Sequence, residues 1–578
     1  MTALPTRISA RNCAALCACA LSVCACGTPA AAPAAASEPP ASAHGRAARA
    51  SEELITRALR AKLATVVVIY AENRAFDSLY GNFPGAAGLG EVVDAEGHPL
   101  PAYAAQRDRD GSPLPVLPPT WGGVTAGGYL PVVTQQQSAG LPNAPFSIEH
   151  AFTAQSGVTL STASVTRDLW HRFFEHQMQI DGGRNDGYAA WSDAGGLALG
   201  HFDYSRSALY GLARQFVLAD HFFQGAFGGS FLNHQYLICA CAPEYPDADS
   251  ATAKPSIAVL EHDAAGHYLP RLKAAPNSAP SALDGPPTFA RSGNITPAGY
   301  FGDSKFYAVN TMQPSYQPSG NRPAPADTGE LYADPAKATT LPPQIAPTIG
   351  DRLSAKNIRW VWYAGAWDAA VRDGRQPAGN VRRVIYAPDT PEGSPDFQPH
   401  HQPFNYYSAF DPAAKAAQRS LHLKDYADLV ADIAAGRLPP VAFYKPQGNL
   451  NQHPGYADIA DGDAHIADLI AKLRAGPQWK NMVIVVTYDE FGGAWDHVAP
   501  PRGDLLGPGA RIPALIISPF AKRSTVDHTT YDTASILRLL IRRFDLEGLP
   551  GIARRDLAFA EHGEPPLGDL TNALDLAR

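Results

Sequence analysis

Two adjacent acids follow a run of apolar residues late in the chain. Residues 483–488 (VIVVTY) are mostly β-branched, which is typical of a strand buried on both faces, and Asp489 and Glu490 come directly after them. In open α/β sheets, ligands bind beyond the carboxyl ends of the strands, so acids at such a place are candidates for a functional site. Taken alone, the pair is explained more simply as solvated loop acids, and other residues must decide between the two interpretations.

A second predicted strand is also followed by side chains with oxygen atoms. Residues 65–70 (TVVVIY) have the pattern of another buried strand, and Glu72 and Asn73 follow it after one alanine. A carboxylate and an amide oxygen therefore stand at a second strand end.

A glycine pair precedes a serine and a helix-like run in residues 225–234 (GAFGGSFLNH). Glycines let a backbone approach a ligand closely. A serine at a helix N-terminus, here Ser230, meets free N–H groups and the positive end of the helix dipole, and both suit a phosphate. The same triplet is also explained as an ordinary helix N-cap.

Several histidines occupy predicted loops. His401 lies in residues 400–406 (HHQPFNY), His453 lies in a polar loop beyond a predicted strand at 441–444, and His150 ends residues 146–150 (FSIEH). A single histidine is more often structural than catalytic. Their occurrence together with acids at strand ends is what indicates a site.

Composition limits the class of protein. The 578 residues are 45% hydrophobic and 18% charged, which is typical of a globular chain with room for one large domain or several small ones. The net charge of −8 argues against a nucleic-acid partner, because such surfaces carry an excess of basic residues.

The N-terminus predicts export. Arg7 and Arg11 precede a short apolar segment, so residues 1–26 are typical of an export signal that is too short to span a membrane stably. Residues 23–26 (VCAC) resemble a bacterial lipoprotein cleavage box with Cys26 as the acylated residue, and plain secretion is the alternative. We expect an exported protein that is periplasmic, anchored to the outer membrane, or secreted.

The remaining chain predicts an α/β domain. Residues 27–51 are rich in Ala and Pro and predict a flexible tether, 52–562 the main domain, 243–347 a Pro/Gly-rich insertion within it, and 563–578 a C-terminal tail. Helices are predicted at 54–63, at 169–178, after an N-cap at Asp463, and at 533–544, and further strands at 358–363, 441–444 and 512–517. This alternation predicts a mostly parallel sheet flanked by helices. Cys239 and Cys241, separated by one alanine, are expected to be buried free thiols.

Three blocks carry a resemblance to a known family. Residues 71–77 (AENRAFD), 227–234 (FGGSFLNH) and 487–501 (TYDEFGGAWDHVAPP) resemble the signature blocks of the bacterial phosphoesterase family that contains acid phosphatases and phospholipases C. Residues 171–183 and 507–528 resemble the acid phosphatase branch in particular. The resemblance implies an alkaline-phosphatase-like α/β fold with a metal-assisted serine nucleophile.

The resemblance also implies roles for individual residues. The implied metal ligands are Glu72, Asn73, Asp489, Glu490 and the hydroxyl of Ser230, which is also the implied nucleophile. His150, His401 and His453 match histidines that line the phosphoryl pocket, and Asp496 and His497 are expected to support the acid pair. Oxygen ligands favour one divalent ion such as Mg²⁺, Ca²⁺ or Mn²⁺, with Zn²⁺ as an alternative.

The expected function is a metal-dependent acid phosphatase that hydrolyses small phosphomonoesters through a phosphoserine intermediate. His453, if protonated, would donate to the leaving oxygen, which predicts an acidic pH optimum. One alternative is a phospholipase C that cleaves phospholipid phosphodiesters. Against it, the N-terminus has no adjacent arginine pair and the chain ends soon after the last predicted helix. A second alternative is a surface lipoprotein that binds phosphate compounds without turnover.

Overall fold

The computed structural model describes residues 43–377, 379–387 and 396–577. They divide into two compact units, of which the first ends at Glu52 and the second begins at Glu53. Residues 43–51 are helical, although the sequence assigned them to a flexible tether; the segment is rich in Ala and Arg, which are strong helix formers. The predicted export signal, Cys26 and the rest of the tether lie outside the described residues.

The second unit is built on an eight-stranded sheet. Its strands in chain order are β1 (Thr65–Ala71), β2 (Val217–Ala219), β3 (Trp360–Ala364), β4 (Leu423–Asp425), β5 (Val441–Lys445), β6 (Met482–Tyr488), β7 (Ala514–Ile517) and β8 (Thr525–Asp527). Their order across the sheet is β8-β2-β7-β6-β1-β5-β3-β4. Neighbours are parallel except that β7 is antiparallel to both β6 and β2. The predicted mostly parallel sheet is confirmed.

Helices cover the sheet, and short strand pairs tie loops together. The described helices are α1 (Ala43–Lys62), α2 (Phe76–Tyr80), α3 (Ile148–Ala151), α4 (Thr153–Ser156), α5 (Phe173–Ile180), α6 (Ala208–Ala213), α7 (Ser230–Cys239), α8 (Ile349–Ala355), α9 (Trp367–Gly374), α10 (Ala416–His422), α11 (Tyr426–Ala434), α12 (Ile459–Ala475), α13 (Thr533–Phe544) and α14 (Pro550–His562). The strand pairs are Phe146–Ser147 with Gly200–His201, Phe222–Phe223 with Tyr531–Asp532, and Leu260–His262 with Tyr268–Leu272. No described helix combines the length and apolar character that crossing a membrane requires.

Two tyrosines show that helices lie on both faces of the sheet. Tyr70 in β1 donates its hydroxyl to the carbonyl of Asn233 in α7 (3.3 Å), whereas the Tyr444 hydroxyl in β5 lies 2.6 Å from Nε2 of His465 in α12. Tyr444 pairs with Ile69, the residue before Tyr70. Because successive strand residues point to opposite faces, α7 and α12 cover opposite faces of the sheet.

Asp463 has a different role from the predicted one. The N-cap of α12 is Asp458, and Asp463 lies inside that helix. Its carboxylate accepts hydrogen bonds from the Ala208 and Leu209 amides at 2.8 and 3.0 Å and from the Tyr204 hydroxyl at 2.6 Å. It therefore caps the start of α6 rather than its own helix, a contact distant in sequence that local spacing does not reveal.

The two described cysteines correct another expectation. Cys239 and Cys241 form a disulfide, with their Cα atoms 5.2 Å apart. Cys239 ends α7, and the next residue, Ala240, has a left-handed backbone (φ 50°) that turns the chain back on itself. This turn brings the two sulfurs together, so the prediction of free thiols is wrong.

The insertion and the tail both pack against the domain. Within residues 243–347, which hold one hairpin and one short 3₁₀ turn, Ile295 and Met312 are fully buried, and Asn310 Oδ1 accepts a hydrogen bond from the first amide of α5 (2.9 Å). In the tail, Leu570 and Ala573 are fully buried. Residues after 562 are thus part of the folded unit, because they contribute to its core.

Candidate active site

The carboxyl ends of β1 and β6 bring four predicted residues together. Ala71 pairs with Tyr488 in parallel register, so Glu72 and Asn73 emerge beside Asp489 and Glu490. The Asp489 carboxylate accepts hydrogen bonds from the Asn73 amide (3.1 Å) and from the Glu490 amide (2.9 Å). All four side chains are almost completely buried, which excludes the interpretation as solvated loop acids.

Ser230 begins α7 and faces these residues. Its hydroxyl donates to Asn73 Oδ1 (3.1 Å) and lies 3.4 Å from Glu490 Oε1. Gly228 has φ 84°, and a Cβ there would lie 2.6 Å from the backbone of Phe173, so the close approach of the loop to α5 requires glycine. The structure therefore places a serine hydroxyl at a helix N-terminus among carboxylate and amide oxygens.

Lys445, which the sequence analysis did not single out, is the buried cation of the site. It ends β5, and its Nζ lies 2.8 Å from Glu72 Oε1 and 3.8 Å from Asp489 Oδ2. Its sequence signal is a lysine that directly follows four residues predicted to form a buried strand. A solvent-exposed strand end is the more common place for such a lysine, which is why the signal was missed.

Two of the three predicted histidines reach the acids. His401 Nε2 lies 2.5 Å from Glu72 Oε1, and His453 Nε2 lies 3.6 Å from Glu72 Oε2. His150 does not lie with these histidines. It is exposed on α3, where it is close enough to Asp203 to lower the pKa of that carboxyl. The pairing of the strand just before α3 with Gly200–His201 holds that segment away from the cavity, which corrects the expectation for His150.

His171 is a pocket histidine that sequence reasoning missed. Its Nε2 lies 3.7 Å from Glu490 Oε1, and its ring is 5.7 Å from that of His453. Residues 169–172 were predicted to be helical, but α5 begins only at Phe173, and the extended segment before it lets His171 face the acids. The signal was present, because His171 opens a block that carries the family resemblance.

His234 adds a further imidazole beneath the serine. It lies one turn after Ser230 in α7, where its Nδ1 contacts the Ser230 carbonyl (2.8 Å) and is 3.6 Å from Asp489 Oδ2. Ligand atoms of Glu72, His234 and His401 lie within 4.8 Å of one another, a spacing that could hold a metal ion. The described residues therefore offer two overlapping ligand sets, one of oxygen atoms and one that includes histidine.

Burial and neighbouring charges set the pKa values of the three acids. Burial raises the pKa of Asp489 to about 7, and the negative charge of Glu72 acts in the same direction. Burial and the charge of Asp489 raise the pKa of Glu490 well above its ordinary value. For Glu72, burial is outweighed by the attraction of Lys445 and His401, so its pKa lies well below the ordinary value. The site thus holds one ionised acid and two that resist ionisation.

These properties fit a divalent cation. Among the described residues, Glu72 Oε2 and Asp489 Oδ2 are buried without a hydrogen-bond donor, although buried carboxylate oxygens normally have one. Three buried carboxylates face one buried lysine, which leaves an excess of acceptors for a hard cation. We therefore assign the oxygen atoms of Glu72, Asn73, Asp489, Glu490 and Ser230, with His401 and His234 beside them, as the set able to hold a metal.

A cavity opens above Ser230. It has a volume of about 360 Å³. Its lining includes Ser230, His171, His453, Trp170, Tyr386 and Tyr456. Burial lowers the pKa of both His171 and His453, so these imidazoles are neutral near pH 7 in the ligand-free protein. The cavity can thus admit a polar group to the serine between histidines and aromatic rings.

Asp496 and His497 support the site from a neighbouring loop. The Asp496 carboxylate accepts a hydrogen bond from the Asp77 amide in α2 (3.0 Å), and His497 Nδ1 lies 2.6 Å from Asp77 Oδ2. Buried Arg511, which sequence reasoning missed, joins Asp496 and Asp77 at 3.0 and 2.9 Å. Asp496 and His497 therefore brace α2, the helix that follows Asn73, and act on the site through that helix.

Comparisons with known proteins show similarity to a family of phosphoesterases. The model of the Phosphoesterase family matches residues 63–547. Phospholipase C B of Mycobacterium tuberculosis is 29% identical over 198 residues, which are 30% of this chain and 36% of that protein. Non-hemolytic phospholipase C of Pseudomonas aeruginosa is 27% identical over 206 residues, 30% of this chain and 29% of that protein. The chain thus spans about a third of the length of these curated relatives.

Solved structures show weaker likeness. A protein of the alkaline phosphatase superfamily from Vibrio parahaemolyticus has a TM-score of 0.27 and 10% identity, covering 61% of this chain and 64% of that one. The lipoteichoic acid synthase LtaP of Listeria monocytogenes has a TM-score of 0.28 and 8% identity, covering 71% and 74%. Scores this low carry no argument about the site, which rests on the geometry above.

Proposed function

The chain belongs to the Phosphoesterase family, and from that premise we propose that it is a metal-dependent phosphoric ester hydrolase in which Ser230 attacks phosphorus. The observation that carries the proposal is the position of the Ser230 hydroxyl. It stands at the N-terminus of α7, donates to Asn73 Oδ1 (3.1 Å), and opens into a cavity of about 360 Å³. Free helix N–H groups beside a nucleophile are suited to the oxygens of a phosphoryl group.

The reaction proceeds in two displacements. In the first, Ser230 Oγ loses its proton to solvent and forms a bond to phosphorus, the ester P–O bond breaks, and the leaving oxygen takes a proton from a side chain of the cavity. In the second, water cleaves the phosphoserine and regenerates the hydroxyl. A divalent cation bound by the oxygen set, when present, would neutralise phosphoryl charge and favour the deprotonated serine.

His453 is the proposed proton donor to the leaving oxygen. Its Nδ1 is held by the Pro454 carbonyl, which leaves Nε2 directed toward the site. Burial lowers the pKa of His453, so its protonated form is populated only at acidic pH in the free protein. An acidic optimum follows if this proton is needed in the first displacement.

Phosphomonoesters are the first candidate substrates. A monoester carries one more charged oxygen than a diester. The imidazoles of His171, His400 and His453 line the cavity and can receive that oxygen. The resemblance of residues 171–183 and 507–528 to the acid phosphatase branch favours the same class.

Phospholipid phosphodiesters are the second candidate, favoured by the names of the matched relatives. One observation at the site supports it: Trp170, Tyr386 and Tyr456 line the cavity together with the carboxylate of Asp168. Aromatic faces beside a carboxylate attract a quaternary ammonium group, such as that of a choline ester.

Two chromogenic substrates separate these classes. We would measure kcat/KM for p-nitrophenyl phosphate and for p-nitrophenylphosphorylcholine with added Mg²⁺, Mn²⁺, Ca²⁺ or Zn²⁺. A preference for the monoester identifies a phosphatase, and a preference for the choline ester identifies a phospholipase C. Absence of turnover with every metal would overturn the proposal in favour of phosphate binding alone.

Ser230→Ala tests the nucleophile. Turnover should be abolished, and acid-quenched wild-type protein should carry a phosphoryl group on the peptide that contains Ser230. The matched control is Ser420→Ala, because the hydroxyl of Ser420 bonds only to the nearby Ala417 carbonyl on the exposed helix α10. Retained turnover in folded Ser230→Ala protein would refute the assignment.

Export and lipid anchoring stay predictions. If Cys26 is acylated, the full chain should fractionate with membranes and become releasable after Cys26→Ala. Equal distribution of both proteins would favour plain secretion.

A further inference from the structure

A second group of metal-ligating side chains lies at another part of the sheet edge. Asp220 directly follows β2 and His528 directly follows β8, two strands that pair in parallel with Ala219 opposite Asp527. His221 is the third member. His221 Nδ1 lies 2.8 Å from Asp220 Oδ1, and His528 Nδ1 lies 2.9 Å from Asp220 Oδ2.

Backbone hydrogen bonds hold Asp220 and His221 in place. The Asp220 amide donates to the Asp527 carbonyl (3.2 Å), and the Tyr531 amide donates to the His221 carbonyl (2.9 Å). The Asp220 side chain is fully buried, and its Oδ2 also accepts from the Ala87 amide (2.8 Å). The carboxylate is therefore rigidly presented to the two imidazoles.

We propose that Asp220, His221 and His528 form a second metal site, for a transition-metal dication of the zinc type. Two imidazole nitrogens and one carboxylate oxygen are a ligand set that zinc and related ions prefer, and three protein ligands leave coordination positions open. Ligand atoms of the three residues lie within 4.8 Å of one another. The proposed site is separate from the phosphoester site, because β7 lies between β2 and β6.

Access to the site supports exchangeable binding. The His528 and His221 side chains are 61% and 29% exposed, whereas the Asp220 carboxylate is completely buried. An open cavity of about 370 Å³ borders His528 and neither of the other two residues. An ion could enter from solvent, bind the three side chains and keep a water molecule or an anion on its outer side. Lys522, which also lines this cavity, would favour an anion there.

Zinc stoichiometry tests the proposal on the full chain. Protein stripped with a chelator would be titrated with Zn²⁺, and with Co²⁺ to read the ligand type from the visible spectrum. Wild type should bind one equivalent more than His528→Ala, and the equivalent lost should show nitrogen ligation. His528→Ala should fold normally because the side chain is largely exposed, and it should keep hydrolase activity.

Two further variants make the result specific. Glu490→Gln alters the phosphoester site and should still bind the equivalent of Zn²⁺ that His528→Ala loses. Loss of metal binding at one site can therefore be distinguished from loss at the other. His267→Ala is the matched control, because His267 is an exposed histidine beside Asp263 in a local turn. If His528→Ala and wild type bind Zn²⁺ with the same stoichiometry and affinity, the cluster is only a hydrogen-bonded Asp–His pair and the proposal is overturned.

Discussion

Lys445 Nζ lies 2.8 Å from Glu72 Oε1, and neither side chain is exposed to solvent. The same ammonium group is 3.8 Å from Asp489 Oδ2. A buried charge without a partner is costly, because the protein interior replaces little of the hydration that it loses. Lys445 therefore supplies the positive charge that keeps Glu72 ionised, and hence able to bind a metal, before any ion arrives.

Lys445→Met should destabilise the metal-free protein strongly. Removing one partner of a buried ion pair costs about 3–5 kcal/mol, since the remaining charge is left uncompensated. Urea unfolding in the presence of a chelator would measure the loss. Saturating divalent metal should restore part of it, because a bound cation can take the place of the ammonium charge.

The control for this variant is Lys472→Met. Lys472 forms an ion pair with Asp468 on the exposed side of α12, where such pairs contribute about 0–1 kcal/mol. If Lys445→Met is no more destabilising than Lys472→Met, the pair with Glu72 does not have the role described.

The positions of the acids, the serine and two of the histidines could be predicted from sequence, but those of the remaining basic groups could not. Glu72 and Asp489 follow strands whose apolar runs are readable, and parallel strands bring their carboxyl ends to one edge. Ser230 is marked by the glycines that precede it. Lys445 and Arg511 are buried only because distant acids surround them, and His171 faces the cavity only because its helix starts later than its spacing predicts. Those facts depend on tertiary packing, which local patterns do not contain.

His453→Gln and His150→Gln should differ sharply in activity. His453 Nε2 lies 3.6 Å from Glu72 Oε2 beside the cavity, whereas His150 is exposed on α3. Loss of a general acid typically lowers the rate about 100-fold or more. We expect a loss of this order in kcat for His453→Gln, with the decline of kcat toward higher pH removed from its pH profile, and wild-type kinetics for His150→Gln. Comparable losses in both would mean that the cavity is not the site of turnover.

Asp489 should contribute a loss of stability to the metal-free protein as pH rises from about 4 to about 7. Burial and the charge of Glu72 raise the pKa of Asp489 from 3.8 to about 7, so in this window the folded state holds a proton that the unfolded state has released. The contribution of Asp489 to the free energy of unfolding therefore falls with rising pH and levels off above pH 7. The lowered pKa of Glu72 acts in the opposite direction below its ordinary value of 4.5, and the lowered pKa values of His171 and His453 do so up to 6.5, so the contribution of Asp489 is read as the difference between wild type and Asp489→Asn.

Urea unfolding at several pH values with a chelator would measure this slope, and Asp489→Asn should reduce it. Divalent metal should reverse it, because the ion competes with protons for the carboxylates and binds more tightly as they ionise. An unchanged slope in Asp489→Asn would assign the effect to other buried acids, such as Asp396, whose pKa burial raises to about 6.

Asp463→Ala should cost more stability than Asp458→Ala, although a local reading of α12 makes Asp463 the cap. Asp458 caps its own helix through one bond to the Asp461 amide (2.7 Å), and loss of an N-cap costs about 1 kcal/mol. Asp463 instead accepts three hydrogen bonds from residues near the start of α6, and it is buried. Two amides and a tyrosine hydroxyl would lose their acceptor together, at about 1 kcal/mol or more each. Chemical denaturation of both variants gives the order, and a larger loss in Asp458→Ala would show that α6 does not depend on this contact.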